Sequence, residues 1–233
     1  MTRVRHIEAV LALAQRRGRA AALATAQMYA GNLYLLLREP RKVREYAEPL
    51  LELAAAKQLP WALAAATLYQ GWVLVQEGRH DEGIAELRQG LGDQLATGQR
   101  AGQKQGFAWL AEAYLCAGAP GEGLAVVADA LAAVPKEERD VPELLRLRGD
   151  LLAARGAGTP QAEASYREAI GVARRLGAKA YELRAATGLA RLLRSDGRAR
   201  EALDLLAPCY ASFSEGFDTR DLREARTLLE ELE

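Results

Sequence analysis

The segment Gly71–Leu87 reads GWVLVQEGRHDEGIAEL, and Ala111–Val127 reads AEAYLCAGAPGEGLAVV. In both, glycine holds the eighth position, Glu-Gly the twelfth and thirteenth, and an aliphatic residue follows. The turn glycines continue as Gly78, Gly118, Gly156 and Gly197, each preceded seven positions earlier by a small residue: Gly71, Ala111, Gly149 and Ala190. Upstream, Gly31 takes the small position ahead of a turn at Arg38-Glu39-Pro40, so the period is about forty residues. A unit of this size cannot bury its own apolar face, so it must stack on a neighbour of the same kind.

Each unit carries the same physical design. A first helix places apolar residues at helical spacing, as in Leu110, Ala111 and Tyr114 or Leu189, Ala190 and Leu193. Glycine then breaks it, because glycine tolerates the left-handed geometry of a helix C-terminus. A second helix opens with a small residue (Gly83, Gly123, Ala162, Ala202), followed by a larger one (Leu87, Val127, Tyr166, Leu206). Most units then return to a small residue, at Gly90, Ala130 and Ala169. The small side chains let two helices approach, and the large ones fill the space beside them.

Composition agrees with an all-α protein. Half of the residues are hydrophobic, mostly alanine and leucine, and only 6% are aromatic. The charges balance at 31 against 31, which gives no reason to expect a nucleic-acid partner. Cys116 and Cys209 are lone cysteines, which points to a reducing, cytoplasmic setting. The N-terminal segment has no signal-peptide pattern, and no stretch reaches the ~18 apolar residues of a membrane helix.

Phe107, Leu110, Ala111, Tyr114, Gly118, Gly123, Val127 and Ala130 resemble the tetratricopeptide repeat (TPR), with Phe for its usual Trp and Gly for its first second-helix Ala. The resemblance implies an all-α, right-handed α-solenoid of TPR-like helical hairpins with a C-terminal capping helix. A lone helix is expected at about 3–16, hairpins at about 21–58, 61–97, 103–134, 141–176 and 178–212, and the cap at about 219–232. A narrower resemblance rests on LREPRKVREYAEPLLELA, GWVLVQEGRHDEGIAELRQGL, LAEAYLCAGAPGEGLAVVADAL, AEASYREAIGVARRLGAKAYELRAATGLARLL and above all FSEGFDTRDLREARTLLEEL. These are similar to the C-terminal repeat region of large bacterial regulators that join an adenylate/guanylate cyclase or DNA-binding head to a predicted ATPase. Only the repeat region is matched, so no cyclase or ATPase activity carries over.

The last helix is one-sided, with Leu222, Ala225, Leu228, Leu229 and Leu232 on one stripe and charges elsewhere, as a cap requires. The first helix has no such polar cover. Val4, Ile7, Val10, Leu11 and Leu13 are therefore expected to be partly exposed and to mediate homo-oligomerisation. Pro49 and Pro208 fall late in second helices and read as tolerated bends. Residues 98–106, 135–142 and 156–160 read as connectors.

No chemical constellation emerges. His6 and His80 lie in different units without metal-ligand spacing. The serines lack a nucleophile-elbow context, and Gly98, Gly102 and Gly106 lead to no phosphate loop. Glu82, Glu122 and Glu201 recur at one repeat position, where they suit the helix dipole rather than acid–base work. We expect no catalysis, cofactor or metal.

What remains is a surface. In TPR arrays the residue after the small position faces a concave groove, with flanking positions on either side. That register gives Asn32, Trp72, Glu112, Asp150 and Arg191 as a central row, flanked by Met28, Leu35, Leu68, Val75, Leu115, Arg146, Thr187 and Arg194 and extended by Arg184. The row runs from apolar to acidic to basic, which suits a protein or peptide partner with matching features. Two placements stay open: Trp72 in the groove or packed between hairpins, and the arginines gripping a partner or paired with nearby Glu and Asp. The favoured function is a non-enzymatic scaffold binding such a partner as the regulatory part of a bacterial signalling protein. The alternative is a small-ligand sensor controlling an attached head.

Overall fold

The structure is a computed structural model that describes residues 2–97, 103–133, 139–156 and 159–233. Among these residues there are twelve α-helices and no strand. They are α1 (Thr2–Arg17), α2 (Ala20–Leu36), α3 (Pro40–Ala56), α4 (Pro60–Gln76), α5 (His80–Ala96), α6 (Gln103–Cys116), α7 (Pro120–Ala132), α8 (Val141–Ala154), α9 (Thr159–Arg175), α10 (Lys179–Ser195), α11 (Ala199–Ala211) and α12 (Arg220–Leu232). The expected connectors fall partly on residues 98–102, 134–138 and 157–158, outside the described set.

The turn glycines behave as their spacing requires: Gly78, Gly118, Gly156 and Gly197 have φ of 83°, 71°, 69° and 76°. Arg38 takes the same left-handed position after α2 with a φ of 58°, so this turn forms without glycine. Proline opens α3, α4 and α7 at the first turn, where its missing N–H has no partner to lose. Pro49 and Pro208 lie inside α3 and α11 on exposed positions.

The chain divides into two compact units, Met1–Ala117 and Gly118–Glu233. In unit 1, α2 pairs with α3 and α4 with α5, while α1 packs on α2 and α6 on α4 and α5. The core gathers Ala24, Tyr34, Val43, Leu50, Ala66, Tyr69, Trp72 and Val73. In unit 2, α8 pairs with α9 and α10 with α11; α7 packs on α8, and α12 on α10 and α11. Its core joins Leu145, Tyr166, Ile170, Leu183, Leu189, Leu193, Leu206 and the α12 stripe Leu222, Ala225 and Leu228.

The small positions act as expected within the hairpins. A Cβ on Gly83 would meet Val75 Cγ2 at 2.5 Å and Gly71 O at 2.7 Å, so α4 and α5 touch backbone to side chain. On α1, Val10 and Leu13 are 51% and 52% exposed, Ile7 and Leu11 are half-buried, and the Val4 side chain lies outside the described set.

Candidate partner-binding site

The expected row falls on first helices of both units. In unit 1, Leu68 and Trp72 of α4 are each only 2% exposed. The Trp72 indole N–H donates to Glu112 Oε2 on α6 at 3.1 Å. Glu112 also faces Arg38 at 3.8 Å. Of the two placements open for Trp72, the molecule takes the packed one, because α6 lies on the side of α4 to which the indole points. Leu35 and Val75 are buried too, Leu115 and Asn32 are half-buried, and Met28 packs against the edge of the core. The apolar half of the row is therefore largely packing rather than surface.

In unit 2, Arg146 of α8 donates to Glu143 at 2.8 Å and pairs with Asp150 one turn on. Asp150 also accepts the Tyr166 hydroxyl from α9. Burial and the Asp150 charge push that phenol above its ordinary range. Arg184 of α10 is 10% exposed and bridges Asp221 of α12 at 2.6 Å and Glu143 of α8 at 3.7 Å. Burial opposes its charge, but the Glu143 and Asp221 carboxylates outweigh this and hold it above the usual arginine range. Arg191 reaches Glu224 at 3.0 Å and Arg194 pairs with Glu231; these two guanidiniums are 50% and 43% exposed. Thr187, between them and Arg184, is buried and donates to Leu183 O at 2.8 Å.

The structure thus joins Trp72 with Glu112 and Arg146 with Asp150, while Arg184, Arg191 and Arg194 each meet a carboxylate of α12. The reading from sequence missed those carboxylates, Asp221, Glu224 and Glu231. Their separations from the arginines, 37, 33 and 37 residues, lie near one repeat period, which is the signal that identifies them.

Elsewhere, His6 is exposed and His80 begins α5. Glu82, Glu122 and Glu201 sit in the first turns of α5, α7 and α11, where they complement the helix dipole. Among the described residues no three His, Cys, Asp or Glu side chains converge as a metal site needs. No described helix is long and apolar enough to cross a membrane.

No family model and no curated protein matches the chain. Among solved structures, the TPR-like repeats of a kinesin light chain from Podosopora anserina align at a TM-score of 0.57 and 17% identity, over 74% of this chain and 85% of that one. A second structure of those repeats gives 0.56 and 17%, over 74% and 86%. BtubC (BKLC) from P. vanneervenii aligns at 0.59 and 16%, over 84% and 89%. At such identities the likeness speaks to the fold. The chain is an all-α helical-repeat solenoid of the TPR-like kind.

Proposed function

We propose that the chain is a non-enzymatic scaffold that binds a protein or peptide partner along its first-helix face. We place it in the bacterial cytoplasm, as the regulatory C-terminal part of a larger signalling protein, on the strength of the FSEGFDTRDL ending and its companion segments. The observation that carries the binding reading is the half-exposed pair Arg191 and Arg194, at groove register on α10 and facing Glu224 and Glu231. An acidic partner segment can exchange with those glutamates, because exposed ion pairs contribute only ~0.2–1 kcal/mol each. Within unit 1, taken by itself, Met28, Asn32 and Glu112 are partly exposed members of the expected row. Leu68 and Trp72 support that face from beneath.

Affinity capture from the source cell, then calorimetry at low and high salt, tests this. The double variant Arg191→Glu/Arg194→Glu should weaken binding about tenfold or more, and wild-type binding should fall with salt. Wild-type affinity in the double variant overturns the site. A second reading, small-ligand sensing, draws on a cleft of about 800 Å³ in unit 1 lined by Thr25, Pro60, Trp61, Leu63, Asp93, Ala96 and Thr97. Retained partner binding together with a ligand that quenches Trp61 fluorescence favours that reading.

A further inference from the structure

The cleft of unit 1 is lined by the start of α4, the end of α5 and Thr25 of α2. At about 800 Å³ it has room for a small molecule. Its apolar wall is Pro60, Leu63 and the half-buried indole of Trp61, which also packs against the core of the unit.

The polar wall is short of donors. Thr25 Oγ1 gives its proton to Ala21 O at 2.8 Å, and Thr97 Oγ1 gives its proton to Gln94 O at 2.7 Å. At the start of α4, Pro60 has no N–H, and the amides of Ala62 and Leu63 already donate to Leu59 O. Among the lining side chains this leaves the Trp61 indole N–H as a donor and the Asp93 carboxylate as an acceptor.

Asp93 is exposed and takes no part in an ion pair among the described residues. It stands in the last turn of α5, which holds no basic residue. The carbonyl end of a helix is itself negative, so an acid there works against the helix. The fold gives no reason for this carboxylate, whereas a bound cation does. We infer that the cleft binds a protonated amine with an apolar body. The ammonium donates to Asp93 at the negative end of α5, and the hydrocarbon covers Trp61 and Leu63. An anion meets repulsion from the same carboxylate and helix end, and a neutral alcohol forgoes the charge. The inference rests on the small-ligand reading above and names its ligand class. It is independent of the arginines of α10.

The probe is hexylammonium, titrated into the full chain and read at the Trp61 indole N–H in proton–nitrogen NMR spectra. Trp61→Phe identifies that signal among those of the three tryptophans. A saturable shift is expected, with binding weakened about fivefold or more by Asp93→Asn. Hexanoate and hexanol should bind more weakly by at least as much. Asp93→Asn should melt no lower than wild type, because α5 loses an unfavourable charge, so weaker binding is not unfolding. Acetyl-lysine methylamide carries the same ammonium on a peptide unit. Tighter binding than hexylammonium upholds the class with a peptide lysine as its source, and weaker binding upholds it with a free amine. Affinity for hexylammonium indifferent to Asp93→Asn overturns the inference. Hexanoate or hexanol bound as tightly as hexylammonium overturns it too, while leaving small-ligand sensing standing. No saturable shift with any of these probes overturns the inference and removes the cleft as support for sensing.

Discussion

In unit 1, successive first helices meet through shape: Tyr69 over Gly31, Trp109 edge-on to Tyr69, and one hydrogen bond from Trp72 to Glu112. In unit 2, the same kind of helix meets its neighbour through charge: Arg184 to Glu143 and Asp221, Arg191 to Glu224, and Arg194 to Glu231. The repeat fixes where helices touch and leaves open which force holds them. Close packing is indifferent to salt and acid, whereas ion pairs respond to both, so one fold carries two sensitivities.

The largest test is Trp72→Ala. It empties a buried indole site, so unit 1 should lose about 3–5 kcal/mol, read as lost hydrogen-exchange protection in α4 and α6 and unchanged by salt. A loss confined to partner binding would show that the indole is not structural. Next is Arg184→Ala. Glu143 and Asp221, at 16% and 14% side-chain exposure, would lose their shared cation, so unit 2 should lose about 3 kcal/mol. A loss under about 1 kcal/mol would place this network with ordinary surface pairs and weaken the contrast between units.

The smallest effect concerns acid. Hydrogen bonds from Arg198 and then Arg167 hold the Glu163 carboxyl below its ordinary range. A depressed folded pKa means stability present above the unfolded carboxylate value and lost as pH falls through the folded one. The α9–α11 contact should therefore weaken in that acid window, and Glu163→Gln should remove this step. Thermal melts from neutral to acid pH check it, and an identical acid profile in the variant would assign the loss to other groups.

The fold was legible because glycine at a left-handed turn and small residues at helix crossings leave a periodic mark in the sequence. Gly78 and Gly118 show this, and the Arg-Glu-Pro turn was found by period alone. The charge of the row was legible as well. What composition and register could not show was coverage: Trp72 is buried, and its indole N–H meets Glu112 of α6. Pairing of the arginines with nearby carboxylates was one of two open readings, but the specific partners were not assigned, because the charges of α12 were read only as the polar side of a cap.

One contact in unit 2 bears on how such a chain can change over generations. The Tyr166 ring lies against α8 and α10 at once: a Cβ at Gly149 would meet its Cε1 at 2.8 Å, and one at Gly188 would meet the same atom at 2.7 Å. Its hydroxyl is tied to Asp150. No single step enlarges either glycine without displacing the ring, and shrinking the ring opens a void that neither glycine can fill. Substitutions at 149, 166 and 188 are therefore coupled: each single change is expected to destabilise unit 2, and combined changes are expected to depart from additivity.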